Sequence, residues 1–424
     1  MAERSLAERD QAVVWHPYTQ MKNAVPPIPI VRGEGTYLIA QDGTRYLDAV
    51  SSWWVNIHGH AHPYIAEKVS QQLCTLEHVI FAGFTHPSAI ELAERLLKIL
   101  PDDQSRVFYS DNGSTAVEVA LKMCFQYWSN KGHARTRVLA FHNSYHGDTF
   151  GAMAVSSRSA FTKPFEQLLF DVEFIDTPNK QNISSLKEQV SAIAPELSAF
   201  IFEPLIQGAG GMNMYEARYL DELLSHCKEK GILTIADEVM TGFGRTGKLF
   251  ASGHLTIQPD LMCFSKGLTG GTMALGITTC ISKIYDAFLS DDRFKTLFHG
   301  HSFTANPIAC SAALASLDIL LLPETMESIQ RISDKHAVFA SEIRQHRKVR
   351  ELRHTGTIIA LEWETGDDTS YFNSLRDELY NFFLKEGILL RPLGNIIYIM
   401  PPYCITNEQL DYIYTKINDA LERF

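Results

Sequence analysis

The chain has 424 residues, 45% of them hydrophobic and 21% charged, with a formal net charge of −11. That length exceeds what one core organises, so a large domain with a smaller one attached is expected. The acidic balance argues against nucleic acid or an anionic membrane surface as the main partner. The polar start, Met1 to Asp10, carries no signal-peptide pattern and no apolar run is long enough to span a bilayer, so the expected location is the cytoplasm.

The first sixty residues are rich in aromatics and turn formers. Trp15-His-Pro-Tyr18 comes first, and Gln41-Asp-Gly-Thr44 then carries the Asp-Gly signal of a tight hairpin before Arg45 to Val50. Trp53 and Trp54 follow, readable as packing or as the wall of an apolar channel. Histidines at 58, 60 and 62 invite a metal reading, but no Asp, Glu or Cys completes a ligand set nearby, and alternate spacing suits a strand edge. Pro63 opens a helix expected to align Ile65, Val69, Leu73 and Leu76 on one face, and Pro87 opens another.

From residue 106 to 285 the pattern is strand, loop, helix, repeated: the doubly wound α/β pattern. Strand Arg106–Asp111 turns through Asn112-Gly-Ser-Thr115 into an apolar helix, Ala116 to Trp128, whose polar residues Glu118, Lys122 and Gln126 fall four apart as if to pair. The start of that helix offers free N–H groups, a glycine and two hydroxyls, which is a phosphate seat or an ordinary cap. Strand Arg137–Phe141 ends in a polar loop with Tyr145 and Asp148, Ala199–Phe202 ends at Glu203, and Gly231–Ala236 delivers Asp237.

Residues 242–247 match G-x-G-x-x-G, yet the stretch after them lacks helical periodicity, so no helix start is aimed at a pyrophosphate and a dinucleotide reading fails. Arg245 in that loop is placed to meet a substrate carboxylate. Leu261–Phe264 then ends at Ser265-Lys266-Gly267. A lone strand-end lysine is often solvated, but one half-removed from water becomes a nucleophile toward carbonyls. With Asp237 at the tip of a neighbouring strand, the two would face one crevice, as pyridoxal phosphate requires: an amine for its aldehyde and an acid for its ring nitrogen. After a small-residue helix, Ile308 to Ile319, the chain reads as a compact α+β unit with antiparallel strands, including Gly387–Arg391 and Asn395–Met400. A helix over Leu375–Lys385 is expected, and Thr406-x-x-Gln409 caps the last one.

Asp237-Glu-Val-Met-Thr-Gly-Phe-Gly-Arg-Thr-Gly247, Pro259-Asp-Leu and Ser265-Lys-Gly267 together resemble the signature of class III (ω-) aminotransferases of the fold-type I pyridoxal phosphate superfamily. The resemblance implies an α/β fold with a mostly parallel seven-stranded sheet flanked by helices plus a smaller α+β domain. Residues 1–60 would contribute to the small domain, 61–315 would form the large cofactor-binding domain and 316–424 the C-terminal small domain. It also implies roles. Lys266 holds the cofactor aldehyde and shuttles a proton, Asp237 pairs with the ring nitrogen, Gly113 and Ser114 hold the phosphate, and Tyr145 stacks on the ring. Tyr18, Trp53 and Trp54 line the substrate channel, Arg391 holds a substrate carboxylate, and Gly300 and Ser302 reach the site of a partner subunit, which makes the assembly a homodimer. No metal is implied.

Within the family, Trp15-His-Pro-Tyr18, Ser52-Trp53-Trp54, Tyr145-His-Gly-Asp148 and Arg391-Pro-x-Gly-Asn are similar to segments of the branch that aminates 8-amino-7-oxononanoate to 7,8-diaminononanoate in biotin synthesis, with S-adenosyl-L-methionine as donor. The chain departs from that branch at His299-Gly-His-Ser-Phe-Thr304, which leaves lysine open as the donor. Other readings are an ornithine, 4-aminobutyrate or polyamine aminotransferase, a pyridoxal phosphate aminomutase, and an inert cofactor-binding scaffold.

Overall fold

The structure, a computed structural model, describes residues 4–366, 369 and 373–424, so the first three residues of the expected N-terminal segment lie outside it. Its centre is a seven-stranded sheet. In chain order the strands are β1 (Gln104–Ser110), β2 (Arg137–Phe141), β3 (Val172–Ile175), β4 (Leu197–Phe202), β5 (Leu233–Asp237), β6 (Leu261–Phe264) and β7 (Gly276–Ile281). In space they run β1-β7-β6-β5-β4-β2-β3. Only β7 runs antiparallel to its neighbours in this sheet.

Every residue of β4 is buried, as a central strand covered on both faces must be. The strands sort their side chains by alternation. Val138, Ala140, Ile201, Ile235 and Cys263 share a cluster with the helix Gly113–Asn130. Their neighbours Leu139, Phe141, Phe200, Phe202, Ala236, Met262 and Phe264 join the opposite cluster, with the helices Pro87–Ile99, Ala217–Glu229 and Pro307–Leu320. Burial there is the main stabilising term, at roughly 25 cal/mol for each Å² of apolar surface removed from water.

The helix Gly113–Asn130 starts three residues before the sequence suggests, because the Asn112 side chain accepts the Thr115 N–H and Thr115 Oγ1 accepts the Asn112 N–H, a reciprocal cap. Its polar stripe does not pair internally. Glu118 accepts the Gly151 and Ala152 N–H groups, Lys122 Nζ donates to the Phe298 carbonyl, and Gln126 donates to that of Thr296.

At the C-terminal end, Val349–Thr355, Ile358–Trp363 and Ile396–Ile399 form an antiparallel sheet. Ile388–Leu389 does not join it as expected. It pairs in parallel with Leu47 and Asp48, extending the N-terminal sheet of Ile30–Glu34, Tyr37–Ala40 and Arg45–Asp48. A 21-residue helix, Pro323–Ile343, went unread in the sequence. The helix Pro63–Thr75 forms as expected, but Ile65 is its only buried residue and Leu73 stands open to solvent on this chain.

Candidate active site

The carboxyl ends of β2, β4, β5 and β6 open onto two adjoining cavities of about 610 and 660 Å³. Trp54, Val55, Tyr145, Gly147, Asp148 and Lys266 line both, so they form one continuous site. A switch-point crevice of this kind is where open α/β sheets take ligands.

Strands β5 and β6 pair in parallel with Asp237 opposite Cys263, which brings Asp237 and Lys266 to the same rim. Lys266 adopts a left-handed φ of +47°, and the Ser265 hydroxyl anchors the turn on the Leu275 carbonyl. The Lys266 amine sits 4.7 Å above the centroid of the Trp54 ring. Burial lowers its pKa, with Asp237 and Glu203 opposing and Arg245 adding to the shift. A shift in that direction favours the neutral, nucleophilic form of the amine. Asp237 accepts the Val239 N–H at 3.1 Å, and its other oxygen lies 2.7 Å from His146 Nδ1.

Gly113 and Ser114 border the first cavity at the start of their helix, where the cap on Thr115 leaves the earlier N–H groups for a ligand. A Cβ on Gly113 would come within 2.7 Å of Val239. The Ser114 hydroxyl accepts the Asp148 N–H at 3.2 Å. An acid at one end, an anion seat at the other and a lysine between them fit pyridoxal phosphate, and the cradle has no room for a side chain at residue 113.

The second cavity is lined by Tyr18, Trp53, Trp54, Tyr145, Phe161, Arg391 and Tyr398 among others. Tyr18 donates its hydroxyl to Asp148 and stands edge-on to Trp53 and Phe161 at 5.9 and 5.7 Å. The Arg391 guanidinium lies 4.1 Å over the Trp53 ring, and the Trp54 indole N–H donates to Tyr398. Burial raises the pKa of the Tyr145 phenol, helped by Tyr18 and Asp148.

Lys266, Asp237, Gly113, Ser114, Tyr145, Tyr18, Trp53, Trp54 and Arg391 are thus brought together. Gly300 and Ser302 are not. Both are exposed on this chain and line neither cavity. Arg245 is a correction: it is 1% exposed, donates to the carbonyls of Pro401 and Trp54, lies 5.2 Å from the Tyr403 ring centroid and lines neither cavity. His58 and His60 go separate ways, to Ser316 and to Asp48. Sequence reasoning assigned no role to His146, whose only signal was its place beside Tyr145 in a strand-end loop. It left Glu203 at the crevice without a role.

The family model "Aminotransferase class-III" matches residues 18–421. The adenosylmethionine-8-amino-7-oxononanoate aminotransferase of Synechococcus elongatus is 48% identical over 419 residues, covering 96% of this chain and 98% of that protein. The enzyme of the same name from Staphylococcus aureus is 35% identical over 429 residues, covering 96% and 95%. The crystal structure of the Methanocaldococcus jannaschii enzyme of that name superposes with a TM-score of 0.95 at 35% identity, covering 99% of this chain and 98% of that one. An ω-transaminase from Pseudomonas jessenii in complex with PMP gives a TM-score of 0.93 at 26% identity, covering 99% and 98%. With its cofactor seat and lysine placed as that chemistry needs, the chain belongs to the class III aminotransferase family and is a pyridoxal-phosphate-dependent aminotransferase.

Proposed function

We propose that the protein aminates 8-amino-7-oxononanoate to 7,8-diaminononanoate for biotin synthesis, with S-adenosyl-L-methionine as amino donor, and that it does so in the cytoplasm as a homodimer. The observation that carries the reading is the Arg391 guanidinium stacked on Trp53 in an apolar, aromatic channel that leads to Lys266. A chain with a terminal carboxylate and a reacting carbonyl or amine at its other end suits such a channel, with the carboxylate on the guanidinium.

When bound, pyridoxal phosphate supplies the electron sink for ionising a bond at the donor's α-carbon. Asp237, steadied by His146, holds the ring N–H. Gly113 and Ser114 seat the phosphate, and Tyr145 covers the ring. The Lys266 amine, whose pKa burial lowers, would take the proton from the donor's α-carbon and deliver it to the cofactor's C4′ carbon. Tyr18, fixed by Asp148, and the paired tryptophans hold the substrate's aliphatic part and exclude water. The partner subunit's Gly300 and Ser302 close the phosphate end, which accounts for their position outside the cavities of their own chain.

The test mixes purified holoenzyme with 8-amino-7-oxononanoate and S-adenosyl-L-methionine or lysine in turn, and quantifies 7,8-diaminononanoate by mass spectrometry. Product with S-adenosyl-L-methionine supports the reading. Product with lysine alone reassigns the donor, and no product with either rejects the substrate.

A further inference from the structure

Two loops build the site from one side, residues 142–148 after β2 and residues 203–211 after β4, and they are fastened together. Gln207 donates its side-chain N–H to the His142 carbonyl at 2.7 Å, and the space a Cβ on Gly210 would fill is taken by the Asn143 carbonyl oxygen at 2.4 Å. The fastening that can change charge is Glu203. One of its oxygens accepts the Tyr145 N–H at 3.0 Å, and the other accepts the Gly208 N–H at 2.9 Å. The side chain is 5% exposed, and the Tyr215 hydroxyl pins the Glu203 carbonyl at 2.5 Å.

We propose that Glu203 is a positioning residue whose carboxylate rivets the loop bearing Tyr145 to the loop bearing Gly208, so that the cover over the cofactor ring and the wall of the substrate channel are set together. Tyr145 borders both cavities, while Ala209 and Gly210, next to Gly208, border the channel. The wall has no slack at that point, since a Cβ on Gly208 would lie 3.0 Å from Met240 and 3.2 Å from Trp54. The inference rests on the aminotransferase reading of the site and deepens it.

Only an ionised carboxylate keeps both oxygens free to accept an N–H; once protonated, one oxygen carries a hydrogen. Burial raises Glu203 to about 7, with His146 opposing, Asp237 adding and the two backbone bonds opposing. The groups facing it are His146 from its own loop partner, Asp237 at the tip of β5, Lys266 after β6 and Tyr215 beyond the channel wall. The rivet is therefore complete above that pH and half undone below it.

The experiment uses the holoenzyme, Glu203→Gln and Glu203→Asp, and reads the visible circular dichroism of the bound cofactor and the KM for amine donor, each from pH 6 to 8.5. In the unmodified protein both signals should change with one midpoint near 7. In Glu203→Gln, which mimics the protonated acid, both should stay at the low-pH level, with KM raised about tenfold at high pH, the worth of one hydrogen bond to a charged group. Glu203→Asp keeps the charge but is too short to span both N–H groups, and should show the high KM with a surviving pH dependence. Unmodified dichroism and KM in Glu203→Gln, or a pH dependence that survives in it, would overturn the proposal. If that variant does not fold, the unmodified protein decides: separate midpoints for the two signals reject the rivet. The dichroism needs no substrate, so a wrong substrate assignment silences the KM arm and leaves the cofactor arm standing.

Discussion

His146 Nδ1 lies 2.7 Å from Asp237 Oδ2, and neither side chain reaches solvent to any useful extent. The imidazole buttresses one oxygen of the carboxylate, and the Val239 N–H occupies the other. A carboxylate held this way stays aimed, which is what a protonated ring nitrogen needs. Asp237→Asn keeps the shape and loses the charge. The expected outcome is a fall in kcat of about 100-fold or more with little change in donor KM, checked by steady-state kinetics on protein shown to retain its cofactor.

The guanidinium of Arg391 predicts a different pattern. It stacks on Trp53 and touches the channel, not the cofactor cavity. Arg391→Ala should raise the KM for the carboxylate-bearing substrate about 10- to 100-fold while cofactor affinity holds, and Arg391→Lys should recover only part because it lacks the planar fork. Equal loss of both affinities would remove the clamp from the mechanism.

Lys266 and Asp237 were legible because a strand's end is marked by where its apolar run stops, and a parallel sheet puts all such ends on one edge. What spacing does not encode is which way a loop side chain turns. Arg245 looked like a substrate clamp for that reason, yet it points inward to the Pro401 and Trp54 carbonyls. Gly300 and Ser302 stand exposed and outside both cavities, so no contact within one chain marks them. The helix Pro323–Ile343 was hidden because its buried stripe, Ile329, Ile332, Phe339, Ala340 and Ile343, carries a polar residue, His336, in the middle. His146 was passed over because its task is to orient another side chain, and such a task leaves no spacing rule.

The inward course of Arg245 is itself testable. Arg245→Ala opens a buried gap and strips two carbonyls of a donor, so folding stability should drop by about 2–5 kcal/mol while the KM for the carboxylate substrate stays within error. Denaturant melts and kinetics on the same preparation separate the two effects. A selective KM change would restore the clamp reading.

Acid should weaken the protein through two buried imidazoles. His336 is bonded to the Tyr414 hydroxyl and the Thr357 carbonyl, and His58 to Ser316. Burial lowers each to about 3 from 6.5. The unfolded chain then binds these protons below pH 6.5 while the folded chain does not until near 3, so stability is full above 6.5 and declines as pH falls through that window. Each site accounts for on the order of a few kcal/mol of that decline. His336→Asn should lower the plateau at pH 7, because volume and bonds are lost, but flatten the slope between pH 6.5 and 4 in thermal melts. An unchanged slope would mean that the acid response lies elsewhere.

The phosphate end of the site depends on a backbone position with no tolerance. Gly147 has a φ of +136°, which side chains disfavour, and a Cβ there would lie 2.1 Å from the Ser114 hydroxyl oxygen and 2.7 Å from its Cβ. That same hydroxyl accepts the Asp148 N–H, and Asp148 in turn holds Tyr18. Gly147→Ala must therefore push Ser114 off the seat and carry Asp148 and Tyr18 with it. Cofactor affinity should fall about tenfold or more, as expected when even one charge-assisted bond to a phosphate is lost, and donor KM should rise with it. Titrating the apo-variant with pyridoxal phosphate by absorbance measures the first effect. Phosphate-free pyridoxal provides the control: its affinity should change far less, because the displaced hydroxyl serves the phosphate end and not the ring held by Asp237.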